Sequence, residues 1–210
     1  AVALPLTPGG GGVNLVVNGD FRLNQRAFAG GALTAGSYGH DRWKAAAGGA
    51  SYTITGFTIA LASGELEQVI EPAFWGLATL ASTQVTISVE SPSADLSVGL
   101  GSAIGTIPAA SGRQSVTMTT VAGDTGNLSL KIKRLVAGAV TFARVRLEVG
   151  ANANAWSARP TGAELELARW YYQIHTSVQV TLTNDTSVPR NIATAVWPPM
   201  RVSPVIVITA

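Results

Sequence analysis

Cysteine is absent from this 210-residue chain, which excludes disulfides, thiolate metal sites and a cysteine nucleophile. Charge is scarce too: Asp, Glu, Lys and Arg make up 12% of the residues, against ~25% in an ordinary soluble domain. The 14 Lys and Arg residues form no long run and the net charge is +2, so nucleic acid is not an expected partner. No apolar stretch approaches the ~18 residues of a membrane-spanning helix, and membrane insertion is not expected either. The opening AVALPLTPGGGG has no initiator Met and no positive n-region of a secretion signal. The chain is therefore expected to be trimmed or part of something longer. Also missing are a Gly-x-Ser-x-Gly elbow, a phosphate loop and a His-Glu pair. His40 and His175 are far apart, and neither has a second His at ligand spacing. No metal, cofactor or enzyme activity is expected. Glu65, Glu67, Glu71, Glu90 and Asp95 supply carboxylates, but a glycosidase needs two facing one bond, and isolated carboxylates on strands usually form a solvated face.

Small and β-friendly residues fill the space that charge leaves, and the dominant period from residue 52 onward is two. Tyr52 and Ile54 alternate with Thr53 and Thr55, and after Gly56 the phase shifts to Phe57, Ile59 and Leu61, which reads as a bulge or bend. Further runs are Leu66–Ile70, Val85-Ile87-Val89, Leu96-Val98-Leu100, Val116-Met118, Leu128-Leu130-Ile132 and Val140-Phe142, the last slipping phase to Val145-Leu147-Val149. Turn chemistry separates them: Glu71-Pro72, Ser91-Pro92-Ser93, Ile107-Pro108, Ser111-Gly112 and Gly123–Gly126. Short strands with regular turns predict an all-β fold, an antiparallel jelly-roll sandwich over 13–158 with no interrupting helix. Residues 1–12 read as a Gly-tethered flexible arm.

Thr161-Gly162-Ala163-Glu164 after Pro160 fits a capping box and predicts a short α-helix. Leu165, Ala168 and Tyr172 share one of its faces, and Trp170, Tyr171 and Tyr172 are more aromatic surface than a short exposed helix carries in water. The apolar Val205–Ile208 run predicts a strand that needs cover. Residues 159–210 are thus expected to form a helix plus a small β-region for assembly. Trp170, Tyr171, Tyr172, Ile206 and Ile208 are its interface candidates, and a symmetric homo-oligomer, a trimer above others, is the expected state.

NLVVNGDFRLNQR followed by YGHDRWK resembles the opening of a module of bacteriophage tail fibres and related spike proteins. LEVGANANAWSARPTGAELELARWYY, Leu147–Tyr172, is similar to that module's closing segment, and Pro199–Pro204 to the small β-region that often follows. The resemblance implies a virion protein that attaches a particle to host-surface polysaccharide alongside other virion proteins. It leaves open a phage or a phage-like gene-transfer or bacteriocin particle. More distantly, NGDF and a final strand ending Arg-Leu-Glu resemble jelly-roll carbohydrate-binding modules, which commonly hold a structural calcium where the chain ends meet. Arg22 and Arg144 stand where those modules usually have Glu and Asp. Calcium wants several oxygen ligands and two arginines supply none, so a guanidinium paired with Asp20 or Glu148 is expected in place of the ion.

The structural candidates are Asn18, Asp20, Arg22, Asp41, Arg42, Trp43, Glu148, Trp156 and Arg159. The chain ends are expected to meet, with a strand at Leu15–Val17 beside the strand at Val145–Val149 and with Asp20, Arg22 and Glu148 near one another. Asp41-Arg42-Trp43 reads either as a sugar platform or as a core Trp beside an ion pair that pins the loop. Trp75, with Glu71 and Phe74 in a turn-rich loop, is the better stacking candidate. Three readings follow: a glycan-binding fibre or spike protein, a purely structural virion component such as a spike base or fibre connector, and a capsule depolymerase supported only by loose carboxylates.

Overall fold

A computed structural model describes residues 12–173 together with the backbones of 181–184 and 191–194. Nine strands follow the period-two pattern: β1 (Gly31–Leu33), β2 (Lys44–Thr55), β3 (Thr58–Ile70), β4 (Gln84–Glu90), β5 (Leu96–Leu100), β6 (Ala103–Ile107), β7 (Arg113–Thr119), β8 (Leu128–Arg134) and β9 (Val140–Val149). All pair antiparallel, in the order β6-β5-β8-β3-β9-β4-β7, with β2 also along β3 and β1 on β2. The described residues form an antiparallel jelly-roll sandwich with one short α-helix.

The long strand β3 belongs to both halves of the sandwich. Its start, Thr58–Leu61, pairs with β9, and its end, Glu65–Ile70, pairs with β8. The switch comes at Gly64, which has φ +71° and where a Cβ would collide with the Gly49 carbonyl oxygen; only glycine fits such a corner. The sheet then closes on itself, since a Cβ on Gly105 of β6 would lie 2.8 Å from the Val116 side chain of β7. Between the layers, Leu66, Ile87, Leu96, Leu130, Ile132, Phe142 and Leu147 are fully buried, the alternate positions that the sequence pattern places inward.

Four local expectations are corrected. Gly56 is no bulge within a strand: with Phe57 it makes the turn of the β2–β3 hairpin, where Thr55 faces Thr58. Leu15–Val17, expected as a strand, forms no regular strand, though it lies against β9 as expected, with Leu15 N–H donating to Leu147 O and Val145 N–H to Gly19 O, both at 2.8 Å. A one-turn 3-10 helix, Pro72–Trp75, interrupts the β-structure. The helix α1 (Thr161–Arg169) has no side-chain cap; Pro160 occupies its N-cap position. Glu164 is buried within the chain-end junction instead, because that junction offers it an arginine and a backbone N–H.

Ala168 belongs to the core and Leu165 and Leu167 pack against it, so α1 packs on the sandwich. Thr181–Asn184 (β10) and Asn191–Thr194 (β11) form a separate antiparallel pair. The expected strand at Val205–Ile208, with Ile206 and Ile208, lies outside the described residues, as do His175 and the arm before Gly12.

Candidate functional site

The two chain ends meet in a buried polar junction built on the turn at Asn18, whose φ is +58°. The Asn18 side chain accepts from Leu23 N–H at 2.9 Å and donates to the carbonyls of Leu23 (2.8 Å) and Asp41 (2.9 Å). Its own carbonyl takes the Trp43 indole N–H at 2.8 Å, and its N–H donates to Glu164. Trp156 lies against Gly19.

Each acid at the junction has its own arginine. Arg22 pairs with Asp20, and that bond holds its guanidinium above the ordinary value. Arg146 pairs with Glu148 at 2.7 Å, and Arg159 with Glu164 at 2.9 Å while reaching Val16 O. The expected Arg22–Asp20 pair is present; Glu148 is taken by Arg146, not by Arg22 or Arg144. The donor set does not fit calcium: the carboxylates are occupied by guanidinium groups, and among the described residues no three His, Asp or Glu side chains converge.

The same junction closes the expected sugar platform. Trp43 is fully buried, stacked on Phe21 at 4.6 Å and 14°. Asp41 is buried as well, accepting from Gln25 N–H at 3.0 Å and Arg26 at 2.9 Å. Trp75, expected to be exposed, is 5% exposed. Phe74 meets it edge-on at 5.2 Å, and the Arg159 guanidinium covers its ring at 5.1 Å. Glu71 starts this turn, its carbonyl accepting from Phe74 N–H at 3.0 Å.

Tyr171 and Tyr172 do not stand outward from a helix, because α1 ends at Arg169 and the chain turns back. Tyr171 meets Phe74 at 5.7 Å and lies under the Arg42 guanidinium at 3.4 Å; Tyr172 lies under Arg26 at 3.6 Å. Trp170 is half-buried. These stacks are cation–π contacts within one chain.

His40 sits behind this junction, with Tyr52 Oη accepting its backbone N–H at 3.0 Å and lying 3.1 Å from Nδ1. The direction of the hydrogen bond between Tyr52 Oη and Nδ1 follows the imidazole tautomer. Burial pushes His40 below the ordinary 6.5, with Asp41 opposing, and burial pushes Tyr52 up to about 12. A depressed imidazole contributes stability that is present above 6.5 and lost as pH falls toward the folded value. The melting temperature is expected to drop as pH falls below 6.5, and His40→Asn to flatten that drop. An unchanged slope in the variant contradicts this reading.

Two aromatics are exposed among the described residues, Tyr38 and Phe57, and the alternating pattern alone places Phe57 inward. At the hairpin tip it is 49% exposed and borders a cleft of about 320 Å3 with Thr58, Glu90, Ser91, Phe142, Ala143 and Arg144. The floor is the β9 bulge: Ser88 faces Arg146 and Glu90 faces Ala143, so the register slips between them at Arg144, φ +55°. Bulges of this kind re-aim a side chain, and the Arg144 guanidinium comes to lie 6.0 Å from the Phe57 ring centroid. Behind it, Arg113 holds Glu90 Oε1 at 3.4 Å and the Arg144 carbonyl at 2.8 Å. Ring, hydroxyls, carboxylate and guanidinium are the groups that grip a sugar: an apolar face for its C–H bonds and hydrogen-bonding groups for its hydroxyls.

No protein-family profile matches the chain, and no curated protein is significantly similar to it. Solved structures with a similar chain path include a family 4 carbohydrate-binding module (16% identity, TM-score 0.37, covering 63% of this chain and 98% of that one). A family 36 module domain of a multidomain xylanase from the hindgut metagenome of Trinervitermes trinervoides follows (13%, 0.36, 63% and 97%). A mutant family 29 module is similar at 8% identity and TM-score 0.36, over 56% and 87%. Likenesses this distant carry no argument about function.

Proposed function

We propose that this chain is a non-catalytic module that binds glycan in the cleft between the β2–β3 turn and the β9 bulge. We further propose that it does so on a virion fibre or spike, holding the particle to host-surface polysaccharide. The observation that supports the glycan reading is Phe57, a half-exposed ring at a hairpin tip flanked by Arg144, Glu90 and Ser91. An apolar ring beside polar groups suits an amphipathic ligand, and stacking on such a ring adds to what area burial alone gives. The virion setting, its partner proteins and a trimeric state rest on the resemblance of the two chain ends to fibre modules. Since Tyr171 and Tyr172 are engaged within the chain, assembly falls to other surfaces.

Phe57→Ala is expected to weaken binding to a host polysaccharide identified on a glycan array roughly tenfold, ~1.4 kcal/mol, with little change in melting temperature because half the ring is already wet. No retained glycan, or equal affinity in the variant, contradicts the reading. A purely structural role draws on the exposed apolar side chains Ile104, Leu135 and Val136; it predicts no retained glycan and a silent Phe57→Ala.

A further inference from the structure

The charge balance of the Phe57 cleft points to its ligand. Arg22, Arg26, Arg113, Arg146 and Arg159 each face a carboxylate. Arg144 forms no ion pair among the described residues, and its guanidinium lies over the Phe57 ring. Glu90, the one acid lining the cleft, is already countered by Arg113, whose guanidinium is further tied to Ser88 Oγ at 2.6 Å and the Arg144 carbonyl. Behind the cleft, Arg146 and Glu148 neutralise each other. One positive charge is left over, and it belongs to Arg144.

The backbone that presents this charge is held in place. Arg144 and Ser91, on two sides of the cleft, are both non-glycine residues at positive φ, +55° and +44°. Such conformations persist only where their surroundings fix them. Arg113 bonds the carbonyl of the first, and the second exchanges hydrogen bonds with Gly112, Ser91 N–H to Gly112 O at 2.7 Å and Gly112 N–H to Ser91 Oγ at 3.0 Å.

We infer that the cleft selects a sugar bearing a carboxylate, its ring face on Phe57 and its carboxylate on the Arg144 guanidinium, an inference that rests on the glycan-binding reading above. A guanidinium presents a planar fork of N–H donors that matches a carboxylate in bidentate fashion. With the guanidinium carbon 6.0 Å from the ring centroid, a pyranose lying on Phe57 brings an exocyclic carboxylate within its reach. Neutral hexoses leave the cation without a counter-charge. Uronates and sialates share the required chemistry.

The test is titration of the purified chain with polygalacturonate and polysialic acid, each beside its carboxyl-reduced form. At least one acid is expected to bind roughly tenfold tighter than its reduced form, with a preference that shrinks as salt rises. Arg144→Gln, checked for an unchanged melting temperature, is expected to bring that ratio close to one. Which acid is preferred distinguishes uronate from sialate. Equal binding of acid and reduced forms, or a preference that survives Arg144→Gln, overturns the inference and leaves the glycan reading intact provided Phe57→Ala still weakens binding roughly tenfold. A wild-type chain that binds none of the four probes overturns the inference alone; no glycan retained on the array, or a silent Phe57→Ala, overturns both.

Discussion

Trp75→Ala is expected to cost about as much stability as Trp43→Ala, about 3–5 kcal/mol each. Trp43 lies flat on Phe21 and gives its indole N–H to Asn18 O. Its loss removes both the stack and a bond that holds the turn. Trp75 reaches the same standing by another route. It belongs to the same core cluster, and Arg159 closes over its ring. That guanidinium also binds Val16 O and Glu164, so removing the indole opens a cavity directly beneath the contact that joins the chain ends. Both variants are measured by urea unfolding followed by far-ultraviolet circular dichroism. A Trp75→Ala protein of wild-type stability that no longer binds glycan would return the sugar site to the Glu71–Gly76 turn.

Why Trp75 is legible as an aromatic in a turn but not as a core residue is a matter of distance along the chain. Pro72 and Gly76 announce the turn locally, and a short turn offers an aromatic nothing of its own to pack under. The cover comes from Arg159, and the neighbour of Phe74 is Tyr171, both far downstream. The three aromatics after α1 are obscured in the same way. Helical spacing carried to residue 172 spreads them around the axis, whereas the helix stops at Arg169 and its tyrosines meet Arg42 and Arg26 from the opposite end of the sequence.

The strands were open to inspection because burial on one face imposes period two, and both phase slips in that pattern mark real breaks. Their meanings differ. At Arg144 the slip is a bulge within β9; at Gly56 it is a hairpin turn. Alternation alone cannot separate these, yet the choice decides the face, since a one-residue shift turns a side chain from core to solvent. Reading Phe57 as part of a continuing strand placed it inside and hid the cleft. A glycine followed by a pattern that restarts nearby fits a tight turn as well as a bulge, so the local sequence does not separate the two. Glu164 is similar: its spacing from Thr161 satisfies a capping box, and the competing partners, Asn18 N–H and Arg159, appear only once the ends are folded together.

Arg146→Ala is expected to destabilise the fold by about 3–5 kcal/mol, as breaking one side of a buried ion pair does. The guanidinium reaches Glu148 at 2.7 Å, Gly12 O at 2.7 Å and Ala155 O, so one side chain connects the start of the sandwich, its last strand and the segment leading to α1. Glu148 is fully buried. Asn154 bonds it through its backbone N–H at 3.1 Å and its side-chain amide at 2.7 Å, but these are neutral donors and leave the charge uncompensated once Arg146 is gone. Arg146→Lys is expected to recover only part of the loss, because a point charge on a flexible stem cannot meet three acceptors in the plane of a guanidinium. The double variant Arg146→Met with Glu148→Leu separates pairing from packing: with both charges removed, the desolvation cost goes as well, and stability is expected to return toward the wild-type value. Chemical denaturation of the wild type, Arg146→Met, Glu148→Leu and the double variant completes a double-mutant cycle. If Arg146→Ala alone is near neutral, the pair is not holding the chain ends; if the double variant is as unstable as Arg146→Ala, the carbonyl contacts to Gly12 and Ala155, rather than the uncompensated carboxylate, account for the loss.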